Sequence, residues 1–183
     1  PICTPSRVQI MTGLYNFRNY LKFGQLPVTQ KTFANHLRDA GYRTGICGKW
    51  QLAGNADTVR QFGFDTHCLW HLDGRESRYW NPRISRNGQL LEGLEDTFGP
   101  DVMTDFACDF LSADSPKPFF LYYPMTLPHW PFVPTPDSKP GGSRELDGEY
   151  DGRKGGEEYF PDMVNYLDKL VGRIVTTLRE ANQ

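Results

Sequence analysis

At 183 residues, 38% of them hydrophobic and 23% charged, with a formal net charge of -2, the chain has the size of one domain able to bury a real core. That balance excludes a disordered chain and gives no general affinity for nucleic acid, and no apolar run approaches the length of a membrane span. Cys3, Cys47, Cys68 and Cys108 are too far apart to suggest a disulfide framework or a paired metal knuckle, and no signal peptide is visible in these residues, which start at Pro1 rather than Met and so are not expected to hold the natural N-terminus.

In chain order, Thr4 suits a helix N-cap and Pro5 a first helical residue, so a short helix is expected with Cys3 just ahead of it. Cys3 would then face free backbone N–H groups, with Arg7 one turn along. Such a place favours an anion and activates a thiol, although an ordinary helix start with an inert cysteine fits the same residues. Tyr15 to Thr29 has no steady period and reads as a loop. Lys31 to Ala40 reads as an amphipathic helix stopped by Gly41. Thr44 to Gly48 is a short buried strand ending in Lys49-Trp50-Gln51-Leu52, at the end of a strand where α/β proteins bind ligands. Thr58 to Phe62 gives a helical turn and Phe64 to Leu72 a second strand. Asp73 to Gly99 reads as surface loop with a hairpin at Arg86-Asn87-Gly88.

Asp101 to Leu111 carries an apolar stripe after Pro100 and reads as a helix. Pro118 to Met125, containing Phe-Phe-Leu-Tyr-Tyr, reads as a strand buried on both faces that ends in Leu127-Pro128-His129-Trp130-Pro131. Pro134 to Gly156 is a long loop rich in Pro, Gly and charge. Met163, Leu167, Leu170, Val171, Ile174 and Leu178 form one stripe of a last helix ending near Glu180. The alternation implies an α/β fold, a mainly parallel sheet flanked by helices. His36, His67 and His71 read as structural or surface residues. Asp65 reads as a turn residue, Asp101 as a helix-start charge and Asp105 as part of a solvated helix face.

The string Cys3-Thr4-Pro5-Ser6-Arg7, followed by Thr12-Gly13, resembles the Cys-x-Pro-Ser-Arg signature of the type I sulfatases of the alkaline phosphatase superfamily. Gly41-Tyr42-Arg43-Thr44 with Gly48-Lys49-Trp50-Gln51-Leu52 is similar to their second signature, and Pro128-His129-Trp130-Pro131 to their Pro-His-x-Pro strand end. The likeness extends in family order to Phe62-Gly63-Phe64-Asp65, Tyr79-Trp80-Asn81-Pro82 and Leu167-Asp168-Lys169-Leu170-Val171-Gly172. The resemblance implies that Cys3 is oxidised to formylglycine by a maturation enzyme, acts as nucleophile and ligates a divalent cation, usually calcium. It implies charge stabilisation by Arg7, sulfate contact by Lys49, and sulfate contact with protonation of the leaving alcohol by His129.

Gln51 stands where the family has a histidine that takes a proton from the aldehyde hydrate; as a substrate-binding residue it can donate and accept hydrogen bonds but cannot titrate. Residues 1–183 are expected to be an internal part of one catalytic domain. The family's aspartate pair before the cysteine, and its Asp-Asn pair and second lysine after the last helix, have no counterpart here. This stretch alone is therefore expected not to turn over substrate, since Cys3 would be its only metal ligand. The implied substrate is a sulfated carbohydrate or aryl ester, and the implied location is periplasm, lysosome or medium. A phosphate or phosphonate ester hydrolase of the same superfamily, and a non-catalytic anion-binding relic, remain as alternatives.

Overall fold

The computed structural model describes residues 2–72, 74, 77–139 and 156–183. At its centre is β1 (Arg43–Lys49), whose residues Thr44 to Lys49 are all buried. Parallel neighbours lie on both sides of it, β2 (Thr66–Trp70) and β5 (Phe119–Tyr122), and their ladders satisfy backbone groups that water cannot reach. A hairpin of β3 (Ile84–Arg86) and β4 (Gln89–Leu90), turning on Asn87-Gly88 at positive φ, adds antiparallel to β2. The sheet order is β4-β3-β2-β1-β5. β2, β1 and β5 are thus parallel as expected, and the hairpin makes the sheet mixed.

Successive residues of β1 point to opposite faces, so Ile46 and Cys47 belong to different cores. On the Ile46 side pack α1 (Cys3–Thr12), α3 (Phe33–Asp39) and α4 (Ala56–Gln61) through Val8, Met11, Ala34 and Val59. Reciprocal caps start two of these helices, Thr32 with Asn35 and Asn55 with Thr58. On the Cys47 side lies α5 (Gly99–Ser112), through Met103, Phe106 and Ala107, backed by α6 (Phe160–Glu180). Asp101 and Asp105 have a larger part than their sequence suggests, because they clasp α6. The Tyr166 hydroxyl donates to Asp101 at 2.9 Å, and Arg173 reaches Asp105 at 2.5 Å. No helix among the described residues is long and apolar enough to cross a membrane.

Three expectations change. The N-cap of α1 is Ile2 and Cys3 is its first residue, because the buried Thr4 hydroxyl is taken by tertiary partners, accepting from Gly24 N at 2.9 Å. The reach Tyr15 to Thr29 contains a one-turn helix, α2 (Asn16–Asn19), whose Asn19 side chain donates to Thr12 Oγ1 at 2.7 Å. β5 is half-buried along its length, since it is an edge among the described strands. Most of the Pro134 to Gly156 loop, and Arg75, lie outside the described residues.

Candidate active site

Two parallel strands deliver their ends to one place. Gly48 has φ 109°, and a Cβ there would lie 2.3 Å from the Pro124 carbonyl, which accepts the Lys49 N–H at 2.9 Å. The end of β1 is thereby pressed against the segment after β5, and Lys49 and the His129 turn face a common space. α1 closes it. The result is an open cleft of about 700 Å³ with Cys3, Arg7, Lys49, Tyr122 and His129 in its wall.

Within it the Lys49 ammonium stands 3.4 Å from Cys3 Sγ, and Arg7 Nη1 donates to the Lys49 carbonyl at 2.5 Å, tying α1 to β1. Arg7 Nε is buried without a partner and faces no carboxylate in the cleft wall. Burial first, then the charges of Arg78 and Arg7, pushes the Lys49 ammonium below its ordinary pKa, with Cys3 opposing. Burial lowers Arg7 as well. His129 Nδ1 lies 2.6 Å from the Trp130 carbonyl, and because a carbonyl only accepts, Nδ1 carries the proton and Nε2 the free lone pair. Burial and the cations Arg78, Lys49 and Arg7 lower its pKa, so the ring is neutral near pH 7. The cleft wall holds cations and no Asp or Glu, and the described residues contain no cluster of three metal-ligating side chains. Such a wall favours an anion, and among the described residues no ligand set for a calcium ion is gathered here.

Gln51 stands apart from its expected company. It is buried at φ 55°, with Oε1 unpartnered and its carbonyl 3.5 Å from the Thr4 hydroxyl, and it is not in the cleft wall. Two residues that sequence reasoning missed do bear on the site. The buried Tyr79 hydroxyl accepts the His129 N–H at 3.1 Å and donates to the carbonyls of Thr126 at 2.9 Å and His129 at 2.6 Å, holding the turn that carries the histidine. Arg78 lies 4.3 Å over the Trp70 ring, which Lys49 Nζ also approaches at 5.6 Å. The Tyr79-Trp80-Asn81-Pro82 string marks this segment in the sequence; nothing there marks Arg78.

A sequence model of the sulfatase family matches residues 1–183. The chain belongs to the sulfatase family. An N-acetylglucosamine-6-O-sulfatase of Bacteroides thetaiotaomicron is 30% identical over 172 residues, covering 92% of this chain and 27% of that protein. An arylsulfatase of Hemicentrotus pulcherrimus is 30% identical over 164 residues, covering 70% of this chain and 29% of that one. This sulfatase chain therefore spans less than a third of the length of either relative. The solved structure of Ps i-CgsB superposes with a TM-score of 0.78 at 22% identity over 100% of this chain and 45% of its own, which shows the shared fold. A structure holding its substrate D-glucosamine-2-N,6-O-disulfate matches with a TM-score of 0.62 at 29% identity, over 74% of this chain and 26% of that one.

Proposed function

We propose that the whole protein hydrolyses sulfate esters of a carbohydrate, with Cys3 matured to formylglycine as the nucleophile. The observation that carries this reading is the Lys49 ammonium 3.4 Å from Cys3 Sγ, beside Arg7 and His129 in a cleft wall without a carboxylate. In the mature residue a hydroxyl of the hydrated aldehyde would stand near the place of Sγ. It supplies the oxygen that attacks sulfur as the bond from sulfur to the sugar oxygen breaks.

Lys49 and Arg7 balance the charge of the sulfate group, and their burial strengthens that attraction because little water screens it. His129 presents Nε2 to the leaving oxygen. An arriving sulfate offsets the cations that hold the ring neutral, so protonation follows substrate and the proton can pass to the alcohol. Release of sulfate then needs a base for the second hydroxyl. Gln51 cannot be that base, and this is the one feature that favours an anion-binding relic. Among the described residues no cluster of three metal-ligating side chains exists, so a calcium ion beside the matured Cys3 would need ligands from elsewhere in the whole protein.

The test is the mass of the Cys3 peptide from full-length protein made in a host with the maturation enzyme, with sulfate release from 4-nitrophenyl sulfate. A deficit of about 18 Da with turnover is expected. An unmodified thiol that binds sulfated sugar without turnover gives the relic, and faster cleavage of 4-nitrophenyl phosphate gives the phosphoesterase.

A further inference from the structure

We propose that the Tyr122 hydroxyl is a further substrate contact, donating a hydrogen bond to an oxygen of the sulfate group that Arg7 and Lys49 hold. The inference rests on the reading of the cleft as a sulfatase site. Tyr122 is the last residue of β5, lines the cleft together with Cys3 and Arg7, and stands opposite Ile46 in the parallel β1–β5 register. Register partners on adjacent strands point to the same face, so its phenol lies on the Ile46 side of the sheet. That is the side α1 covers, and α1 carries Cys3 and Arg7.

The next residue shows what is unusual about it. A buried tyrosine ring ordinarily finds a partner for its O–H. Tyr123 does so on the opposite face, packed with Cys47 and Cys68, where its hydroxyl lies 3.0 Å from Thr104 Oγ1. Among the described residues the Tyr122 hydroxyl has no hydrogen-bond partner, and it is not one of the polar atoms sealed from solvent. Its ring is nevertheless held, edge-on to Phe33 with centroids 5.4 Å apart and stacked on Phe64 at 6.5 Å. A phenol fixed at the ring and open at the oxygen, in the wall of the cleft, is a donor placed in advance of its ligand.

The surroundings tell what it donates to. The cleft wall has no Asp or Glu to accept its proton in a hydrogen bond. Burial raises the phenol's pKa against the opposing charge of Arg7, so the O–H stays intact at neutral pH. A sulfate ester presents acceptors only, and a neutral donor beside Arg7 and Lys49 adds to its binding without adding a further positive charge.

The experiment titrates full-length wild type, Tyr122→Phe and Tyr123→Phe with inorganic sulfate, and follows turnover of 4-nitrophenyl sulfate, melting temperature and formylglycine content. Tyr122→Phe keeps both ring contacts and loses one oxygen. Sulfate should bind it about ten-fold more weakly, and KM should rise while kcat and melting temperature hold. Tyr123→Phe should do the reverse, melting lower with its sulfate affinity kept. Unchanged sulfate affinity in Tyr122→Phe, equal weakening in both variants, or a weakening matched by a fall in melting temperature overturns the proposal. So does a wild type that does not bind sulfate. Wild type without formylglycine and without turnover would overturn the sulfatase reading instead, and the sulfate titration would still decide whether Tyr122 meets the anion.

Discussion

Replacing Tyr79 by Phe removes one oxygen and leaves the ring stacked 5.9 Å from Phe98. That oxygen is the grip on the His129 turn, and the loss can be worked from its bonds. A single O–H is shared between the carbonyls of Thr126 and His129, so these are not two full bonds. The His129 N–H reaches the Thr126 carbonyl at 3.2 Å as well as the phenol at 3.1 Å, so neither group is left bare. An unsatisfied buried group costs about 1–3 kcal/mol, and the shared geometry puts this case in the lower half, about 1.5 kcal/mol. We expect the His129 amide to exchange with deuterium about ten-fold faster in Tyr79→Phe, read by mass spectrometry on the peptide spanning 126–131 of the full-length protein. Turnover should fall with it, because His129 no longer presents Nε2 at a fixed place. A folded variant whose His129 amide keeps its wild-type protection would refute the assignment of Tyr79 as the residue that positions the histidine.

Lys49→Met removes a buried ammonium set beside two other cations; the unfolding free energy from urea titration should rise by about 1 kcal/mol while stabilisation by added sulfate is lost, and a variant that sulfate still protects would count against the anion site. His129 is depressed below 6.5, so as pH falls the unfolded chain takes up its proton first. Its contribution to stability is present above about pH 6.5 and lost as pH falls toward the depressed value, so wild type should lose more stability than His129→Gln in denaturant titrations from about pH 8 to 5; parallel profiles would refute it. Gly48→Ala forces a side chain to φ 109° and against the Pro124 carbonyl, and should cost more than about 3 kcal/mol, an expectation that a wild-type melting profile would sink.

The positions read from the sequence lie at the ends of elements with strong local patterns. Lys49 follows an apolar run, His129 follows Phe-Phe-Leu-Tyr-Tyr, and Cys3 and Arg7 share one helix turn, so the elements could be placed and the chain topology then brought their ends together. Thr4 was misread because the N-cap rule is local, whereas its hydroxyl bonds Gly24 twenty residues away. β5 was misread because an apolar run shows what a strand buries, not how many neighbours it has. Arg78 and Tyr79 act through contacts with no period to read. The phenol reaches across fifty residues to His129, and the guanidinium reaches an indole whose own partner is Lys49.

The same physics explains why one cysteine of four is placed for chemistry. Cys47 and Cys68 are direct neighbours in the β1–β2 register, fully buried in the core beneath α5. Burial holds both thiols protonated, Cys68 pushed up to about 12 and Cys47 raised well above its ordinary value, so neither offers a thiolate at neutral pH. Cys3 differs in its surroundings rather than its chemistry. It is half-exposed at the first turn of α1, an ammonium stands 3.4 Å away, and the cleft it opens to has no carboxylate in its wall. The cations around it repel one another, and an anion among them would relieve that repulsion. This is why Lys49→Met should separate the two effects, raising stability while removing the response to sulfate.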